Sequence, residues 1–155
     1  MLSTIYNILD GFPFPKIDLI IGPPNYETIS RIHMKLNSNA VSVHSILGNG
    51  ALILLYLTVS PTVYTTLSVT PSILPVNPGS EPIIPNGSTG PVIADLCYAF
   101  QLANDIYTEY YWTDKALRQI LLASVDKIYV RSLRHRYIGY GRTTTRQLLD
   151  HLYAV

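Results

Sequence analysis

Two stretches decide the class of fold: ALRQILLASVDKIY at residues 116–129 and TTTRQLLDHLY at residues 143–153. Both place leucine or isoleucine at spacings of three and four, which is typical of a helix with one apolar face. Thr144 and Gln147 have the spacing of a capping box at the start of the second helix. The residues predicted to face the core are Leu117, Ile120, Leu121, Leu148, Leu149 and Leu152.

A longer apolar stripe lies just before these stretches and predicts the longest helix, with Pro91 in its first turn. Its members are Ile93, Leu96, Cys97, Phe100, Ala103, Tyr107, Tyr110 and Tyr111. We expect Asp114 to begin the next helix as its N-cap and Asp126 to cap a third one. In that third helix the residues expected to face inward are Ile128, Tyr129 and Leu133.

The first part of the chain has a different pattern. Residues 1–24 contain four prolines around the apolar run at residues 17–21, which predicts an extended arm with room for one strand. Asn25 is placed to cap a helix, with Ile29, Ile32 and Leu36 inward. Six prolines at residues 71–91 predict an irregular connection at 70–91, tied down by its apolar residues. The expected organisation is an arm at 1–24 and a helical domain at 25–155.

The segment from residue 51 to residue 69 is the best candidate for a membrane span, because about 20 apolar residues cross a bilayer. Its strongly apolar part ends at Val59, however, and Ser60-Pro61 has the pattern of an N-cap and first helical residue. No basic cluster flanks it. We therefore predict a buried element followed by a short helix, and no membrane partner.

The composition fits one domain of 155 residues, but only 14% of them are charged, against about 25% in an average protein. Acidic residues dominate residues 89–114, whereas residues 115–146 hold eight basic residues and one acid, Asp126. This asymmetry predicts either a polyanion contact or pairing between copies. A single cysteine and the lack of a secretory signal favour a cytoplasmic location.

No constellation of residues predicts catalysis. The histidines are expected at surface or capping positions, and none has a metal-ligand spacing; they are His33, His44, His135 and His151. Cys97 lies on the apolar stripe and is expected in the core. The Gly48-Asn49-Gly50 run is interpreted as a turn, since it lacks the lysine of a phosphate loop. We expect no enzyme activity, no cofactor, no metal and no small-molecule substrate.

Two groups of residues predict interactions. An aromatic cluster suited to self-association, or alternatively to internal packing, comprises Tyr107, Tyr110, Tyr111 and Trp112. A basic group suited to sequence-independent nucleic-acid binding comprises Arg131, Arg134, Arg136, Arg142 and Arg146. The chain also ends within its last predicted helix, so we expect it to be the front part of a longer protein.

Seven phrases stand out as recognisable units along the chain: DGFPFP at residues 10–15, IGPPNYETI at 21–29, LNSNAVSVHS at 36–45, VNPG at 76–79, the run at 116–129, Gly139-Tyr140, and LLDHLY at 148–153. Together they resemble the capsid region of Gag polyproteins from copia-type LTR retrotransposons. The resemblance covers nearly the whole chain. It implies a mainly α, capsid-like helical bundle that self-assembles and packages RNA.

The chain departs from the family at three places. The family's downstream zinc knuckle and the second half of its capsid region are absent, and the loop near residues 48–50 is shorter. The resemblance therefore predicts a truncated homo-oligomeric segment that contributes to RNA packaging. The alternative function is a sequence-nonspecific nucleic-acid-binding module that uses the basic C-terminal helices.

Overall fold

The structure, a computed structural model, describes residues 5–46, 54–68 and 74–154. The described helices are α1 (Ile5–Gly11), α2 (Tyr26–Val41), α3 (Pro61–Leu67), α4 (Gly90–Ser124) and α5 (Thr145–Ala154). Within these ranges there is no strand, only an isolated antiparallel bridge between His135 and Gly139. The prediction of a mainly α helical bundle is confirmed.

Contrary to the prediction, the N-terminal arm is not extended throughout. Helix α1 forms and ends at Gly11, because Pro13 disfavours a helical backbone at the residue before it. The prolines begin only after this point, so nothing opposes a helix at residues 5–11. Ile8, Phe12 and Ile17 are buried in the main core. The predicted strand at residues 17–21 does not form. Instead, the N–H of Ile20 donates to the Ser124 carbonyl at 2.9 Å, which ties this segment to the end of α4.

Helix α2 begins as the sequence predicts. The side chain of Asn25 accepts a bond from the Thr28 N–H and the Thr28 hydroxyl accepts one from the Asn25 N–H, both at 2.9 Å. The predicted inward residues Ile29, Ile32 and Leu36 are buried. The helix continues to Val41 because Asn39, although polar, is buried with both amide groups paired.

Residues 54–59 form a buried turn of 3₁₀ helix, centred on Leu55–Leu57, that leads into α3. As predicted, Ser60 caps α3, accepting a bond from the Val63 N–H at 3.3 Å, and Pro61 is its first residue. In the parts of the chain that the structure describes, no helix is long and apolar enough to cross a membrane. The predicted turn at residues 48–50 lies outside the described residues, as do residues 51–53 and 69 of the candidate span.

Helix α4 is one continuous helix of 35 residues, so the predicted break at Asp114 is wrong. Its second half supplies the centre of the core, and the predicted inward residues Leu117, Ile120 and Leu121 are buried. Residues 90–108 contain no buried residue, and Cys97 is exposed rather than in the core. Periodicity reveals that a helix has an apolar face, but not which partner covers that face.

The third predicted helix is replaced by two 3₁₀ turns, Lys127–Tyr129 and Arg131–Leu133. Asp126 caps the first by accepting a bond from the Ile128 N–H at 3.0 Å. Ile128 is exposed, contrary to the prediction, whereas Tyr129 and Leu133 pack against the core. Helix α5 follows the sequence: Thr144 and Gln147 form the capping box, and the predicted inward leucines of α5 are buried.

The described part of the proline-rich connection, residues 74–89, is irregular as predicted. Its apolar side chains are not tied down, however. Leu74, Val76, Ile83 and Ile84 are all exposed. Gly79 and Gly87 adopt positive φ angles of 83° and 79°, a conformation that favours glycine, and they turn the chain at either end of residues 80–85.

Candidate interaction surfaces

Asp114, the residue predicted as a cap of its own helix, instead holds the start of α5. Its Oδ1 accepts a bond from the Thr145 N–H at 3.2 Å, and the Thr145 hydroxyl donates to the Asp114 carbonyl at 3.1 Å. Asp114 thus satisfies one of the free N–H groups that every helix N-terminus exposes. The joint fixes α5 against the middle of α4.

Arg118 completes this joint. Its Nη1 lies 3.6 Å from Asp114 Oδ2 and donates to the Thr143 carbonyl at 2.8 Å. Burial raises the pKa of Asp114, and the Thr145 bonds together with the Arg118 charge oppose that rise. The carboxylate is therefore a costly buried charge whose neighbours compensate it. Removing it would leave the Thr145 N–H without its acceptor and Arg118 without its counter-charge.

His33 lies at the centre of a second polar network, although it was predicted at a surface or capping position. Its Nδ1 is 2.9 Å from the Tyr153 hydroxyl and its Nε2 is 2.5 Å from the Thr58 carbonyl. The same carbonyl accepts a bond from Arg146 Nη1 at 3.0 Å, and Arg146 Nη2 pairs with Asp150 at 2.5 Å. This network joins α2, the segment before α3, and α5.

The bonds of His33 define the tautomer of its neutral ring. A carbonyl can only accept, so Nε2 carries the proton, and a neutral ring then accepts the Tyr153 hydroxyl proton at Nδ1. Burial lowers the pKa of His33; the Thr58 bond raises it and the Arg146 charge lowers it further, with Asp150 opposing. The folded protein therefore favours the neutral imidazole at this position.

We expect this histidine to make stability depend on pH. Because the pKa of His33 is lower in the folded chain than its ordinary value of 6.5, the unfolded chain binds the proton more readily. The free energy of unfolding should then be highest above pH 6.5 and fall as the pH drops through the folded pKa. Urea unfolding at pH 7.5 and at more acidic pH measures the loss.

His33→Gln should lose less stability on acidification than the wild type does, because it removes the titrating ring. His44→Gln is the matched control, since His44 is exposed and should leave the pH dependence unchanged. Equal pH dependence in His33→Gln and wild type would contradict the assignment.

An open cavity of about 490 Å³ lies beside this network, between α2, α3 and α5. Its lining residues are Tyr26, His33, Asn37, Val59, Ser60, Val63, Arg146 and Tyr153. The rings of Tyr26 and Tyr153 are 5.6 Å apart at its edge. Sequence reasoning missed this site because His33 and Tyr153 are 120 positions apart, and no local pattern links them.

The predicted aromatic cluster is assembled on α4 as one group of rings. Tyr107 lies 6.1 Å from Tyr110 and 6.2 Å from Tyr111, and Tyr111 lies 5.1 Å from Trp112. The Lys115 ammonium is 5.0 Å from the Trp112 ring centroid. Tyr110 and Trp112 pack against the main core, and of the four rings Tyr111 is the exposed one. The cluster therefore combines internal packing with a small exposed surface.

Tyr56 extends this cluster inward. Its ring stacks on Tyr110 at 6.3 Å and meets Tyr64 edge-on at 6.0 Å. Its hydroxyl is buried without a hydrogen-bond partner in the described chain. Burial, followed by the charge of nearby groups, raises the pKa of this hydroxyl far above its usual value, so Tyr56 remains neutral.

The five predicted basic residues are not equivalent. Arg131, Arg134, Arg136 and Arg142 are exposed, whereas Arg146 is held in the His33 network. The residues at 135–139 form a tight loop closed by two backbone bonds, of 2.8 and 3.0 Å, between His135 and Gly139. At its tip the Arg136 guanidinium lies 5.4 Å from the exposed ring of Tyr137. We call the four exposed arginines, together with this ring, the basic surface.

Over the described ranges, no three side chains of histidine, cysteine, aspartate or glutamate come together as a metal site. No family model, no curated protein and no solved structure matches the chain.

Proposed function

We propose that this chain is a structural, self-associating protein, a Gag-like capsid segment of the copia retrotransposon type that acts in the cytoplasm and not as an enzyme. Two things support the proposal: the sequence phrases that resemble that family and the surface of α4. The resemblance supplies the class of protein. The surface of α4 supplies a physical reason for association.

The observation that carries the proposal is the exposed face on the first half of α4. No residue at 90–108 is buried, and three of the exposed side chains are large and apolar. Tyr98 is 70% exposed, Val92 is 45% exposed and Leu102 is 38% exposed. Together with Asp95 and Asp105 these residues recur at spacings of three and four, so they share one face of the helix. We call this set the α4 face.

A second copy is the partner that best fits the α4 face. Covering apolar surface yields roughly 25 cal/mol per Å², and contiguous exposed apolar patches commonly mark interaction sites. The two acids on the face are complementary to the basic surface of Arg131, Arg134, Arg136 and Arg142, which carries the opposite charge on the same chain. Copies can therefore attract one another head to tail.

The double variant Tyr98→Ser/Leu102→Ser should weaken self-association. It removes the two large apolar groups of the α4 face without touching a buried residue, so the fold should be retained. Sedimentation velocity at tens of micromolar should show oligomers for the wild type and mainly monomer for the variant.

The matched control is Tyr6→Ser/Leu19→Ser, which also removes an exposed tyrosine and an exposed leucine but lies outside α4. It should sediment like the wild type. A folded wild-type chain that is monomeric throughout this range would overturn the proposal.

A second candidate function is sequence-independent binding of single-stranded RNA, and the basic surface favours it. Arg136 lies beside Tyr137 in the loop at residues 135–139, and three further exposed arginines precede or follow this loop in sequence. Arginines bind phosphate without reading sequence, and an exposed aromatic ring can stack on any base. In the capsid-like context this surface would contribute to RNA packaging.

Arg134→Gln/Arg136→Gln should weaken binding to unrelated RNAs by similar factors. Each phosphate contact adds about 0.7 to the salt slope on a single strand, so the slope should fall by about 1.4 if both contacts are lost. Fluorescence anisotropy at several salt concentrations measures it. Lys16→Gln/Arg31→Gln removes two exposed cations elsewhere and should change little. Tight, salt-resistant binding to one sequence would contradict the prediction.

A further inference from the structure

A second open cavity, of about 370 Å³, lies between the tight loop that follows the second 3₁₀ turn and the first turn of α5. Its volume is at the lower end of the range for ligand sites. Leu133 and Ile138 supply an apolar wall, and the side chains of His135, Arg142 and Gln147 supply nitrogen groups. The cavity thus combines a small apolar surface with several hydrogen-bonding side chains.

The loop itself fixes the ring of His135. Its Nδ1 accepts bonds from the N–H groups of Tyr137 and Ile138, at 3.1 and 3.4 Å, and two backbone bonds between His135 and Gly139 close the loop. Because Nδ1 is an acceptor, the ring carries its proton on Nε2. Only Nδ1 of this ring is paired in the described part of the chain, so the Nε2–H group is left to donate to a ligand.

Arg142 and Gln147 add further donors. Arg142 is exposed and makes no hydrogen bond or ion pair within the described ranges, so all five N–H groups of its guanidinium are available. Arg118 and Arg146, by contrast, are held in the two polar networks. The Gln147 Oε1 accepts the Thr144 N–H at 2.9 Å, which leaves the Nε2 amide group to donate. The nitrogen side chains of the cavity therefore all offer donors.

The charge around the cavity has one sign. Residues 127–149 contain six lysines or arginines and no aspartate or glutamate, and no acidic residue of the described chain lines the cavity. The ligand that fits is therefore an anion that accepts hydrogen bonds. A phosphate group meets this condition better than a carboxylate, because its oxygens can accept from the planar fork of an arginine and from two further donors at once.

We propose that this cavity binds a phosphate ester, with the Arg142 guanidinium and the N–H groups of His135 and Gln147 on the phosphate oxygens. The sugar attached to that phosphate packs against Leu133 and Ile138. This inference rests on RNA binding, the second candidate function, and names the point at which the protein holds the strand. It also gives Arg142 a role that the other three arginines of the basic surface do not share.

Adenosine monophosphate, titrated into the ¹⁵N-labelled full chain, tests the site. We expect saturable shifts of the Arg142 Nε–H, of the Gln147 side-chain amide and of backbone amides at residues 135–139, with a Kd on the order of 0.1–1 mM. Adenosine, which lacks the phosphate, should give no saturable shift at these groups. Acetate at matched ionic strength should bind at least about tenfold more weakly, since a carboxylate offers fewer acceptor oxygens.

Arg142→Gln should weaken binding of the nucleotide at least about tenfold, because it removes the guanidinium of the cavity. Arg142→Lys keeps the charge but not the planar fork, so its affinity should fall between those of the wild type and Arg142→Gln. Lys127→Gln is the matched control, since it removes an exposed cation of the same basic segment that does not line the cavity, and it should bind like the wild type. Equal losses in Lys127→Gln and Arg142→Gln would overturn the site in favour of a general attraction of charge.

Two RNA oligonucleotides of one sequence, with and without a 5′-phosphate, distinguish the sources of the phosphate. Tighter binding of the phosphorylated strand, lost in Arg142→Gln, would support the site and assign it to the end of a strand. Equal binding of the two strands, weakened in Arg142→Gln, would support the site and assign it to a phosphate within the strand.

The outcomes separate this inference from RNA binding itself. No saturable shift at about 10 mM nucleotide, or an unchanged affinity of Arg142→Gln for it, would overturn the phosphate site even if the chain binds RNA. Saturable nucleotide binding by a chain that binds no RNA would support the site and overturn the second candidate function.

Discussion

Leu121→Ala should lower the free energy of unfolding by about 2–5 kcal/mol, the usual cost of a large-to-small change in a core. Leu121 is fully buried, as are Leu117 and Leu148 in the same cluster. Alanine would leave a void that these neighbours fill only in part. Chemical denaturation followed by far-UV circular dichroism measures the change.

Leu102→Ala is the matched control on the same helix. Leu102 is partly exposed and lies in the half of α4 without buried residues, so the change in monomer stability should stay within about 0.5 kcal/mol, as at other surface sites. Equal losses at positions 102 and 121 would show that the inward face of α4 is misassigned.

Asp114→Ala should be as damaging, with a loss of about 3–5 kcal/mol, the range found when one partner of a buried ion pair is removed. The variant would leave the Thr145 N–H without its acceptor and Arg118 without its carboxylate. Both groups lie at the junction of α4 and α5, so unfolding should remain one cooperative transition at lower denaturant concentration.

Asp114→Asn separates the two contributions. Its amide oxygen can still accept the Thr145 bond but carries no charge for Arg118, so its loss should be smaller than that of the alanine variant. Asp95→Ala, an exposed aspartate on the same helix, should change stability by less than about 0.5 kcal/mol. A loss that small at position 114 would mean that the joint contributes little to the fold.

Features that depend on neighbours in sequence were predictable. The caps at Asn25, Ser60 and Thr144 were predicted correctly because each cap side chain and the N–H that donates to it lie within three residues of one another. The inward leucines of α4 and α5 were predicted because helical periodicity is local.

Features that depend on distant partners could not be predicted from the sequence. Asp114 has the sequence pattern of a cap, but Thr145, which it does cap, is 31 positions away. His33 is held by hydrogen bonds to Thr58 and Tyr153. The residues next to His33 in the sequence give no sign of these partners. Cys97 and Ile83 show the converse case. Cys97 was expected in the core and Ile83 was expected to help tie down the proline-rich connection, but the fold leaves both exposed.

The self-association prediction at Tyr107, Tyr110, Tyr111 and Trp112 stays a prediction. Sequence reasoning selected the aromatic cluster for its composition, and the structure shares those rings between the core and the surface. The α4 face lies earlier on the same helix, and none of its residues belongs to the apolar stripe that was expected to be buried. Composition alone could not separate the two, because a buried ring and a ring offered to a partner have the same sequence signature.

The two polar networks also bear on the order in which the molecule assembles. Linking Asp114 to Thr145 closes a loop of 31 positions, whereas linking His33 to Tyr153 closes one of 120. Each doubling of loop length adds roughly 0.6 kcal/mol of closure entropy, so the longer closure costs about 1.2 kcal/mol more if α5 has not yet docked. Once Asp114 has anchored α5 on α4, the path from His33 to Tyr153 shortens from 120 positions to about 90, because 81 positions lead to Asp114 and 8 lead from Thr145 to Tyr153. The carboxylate joint therefore favours a route in which α4 and α5 pair early and the histidine network forms late.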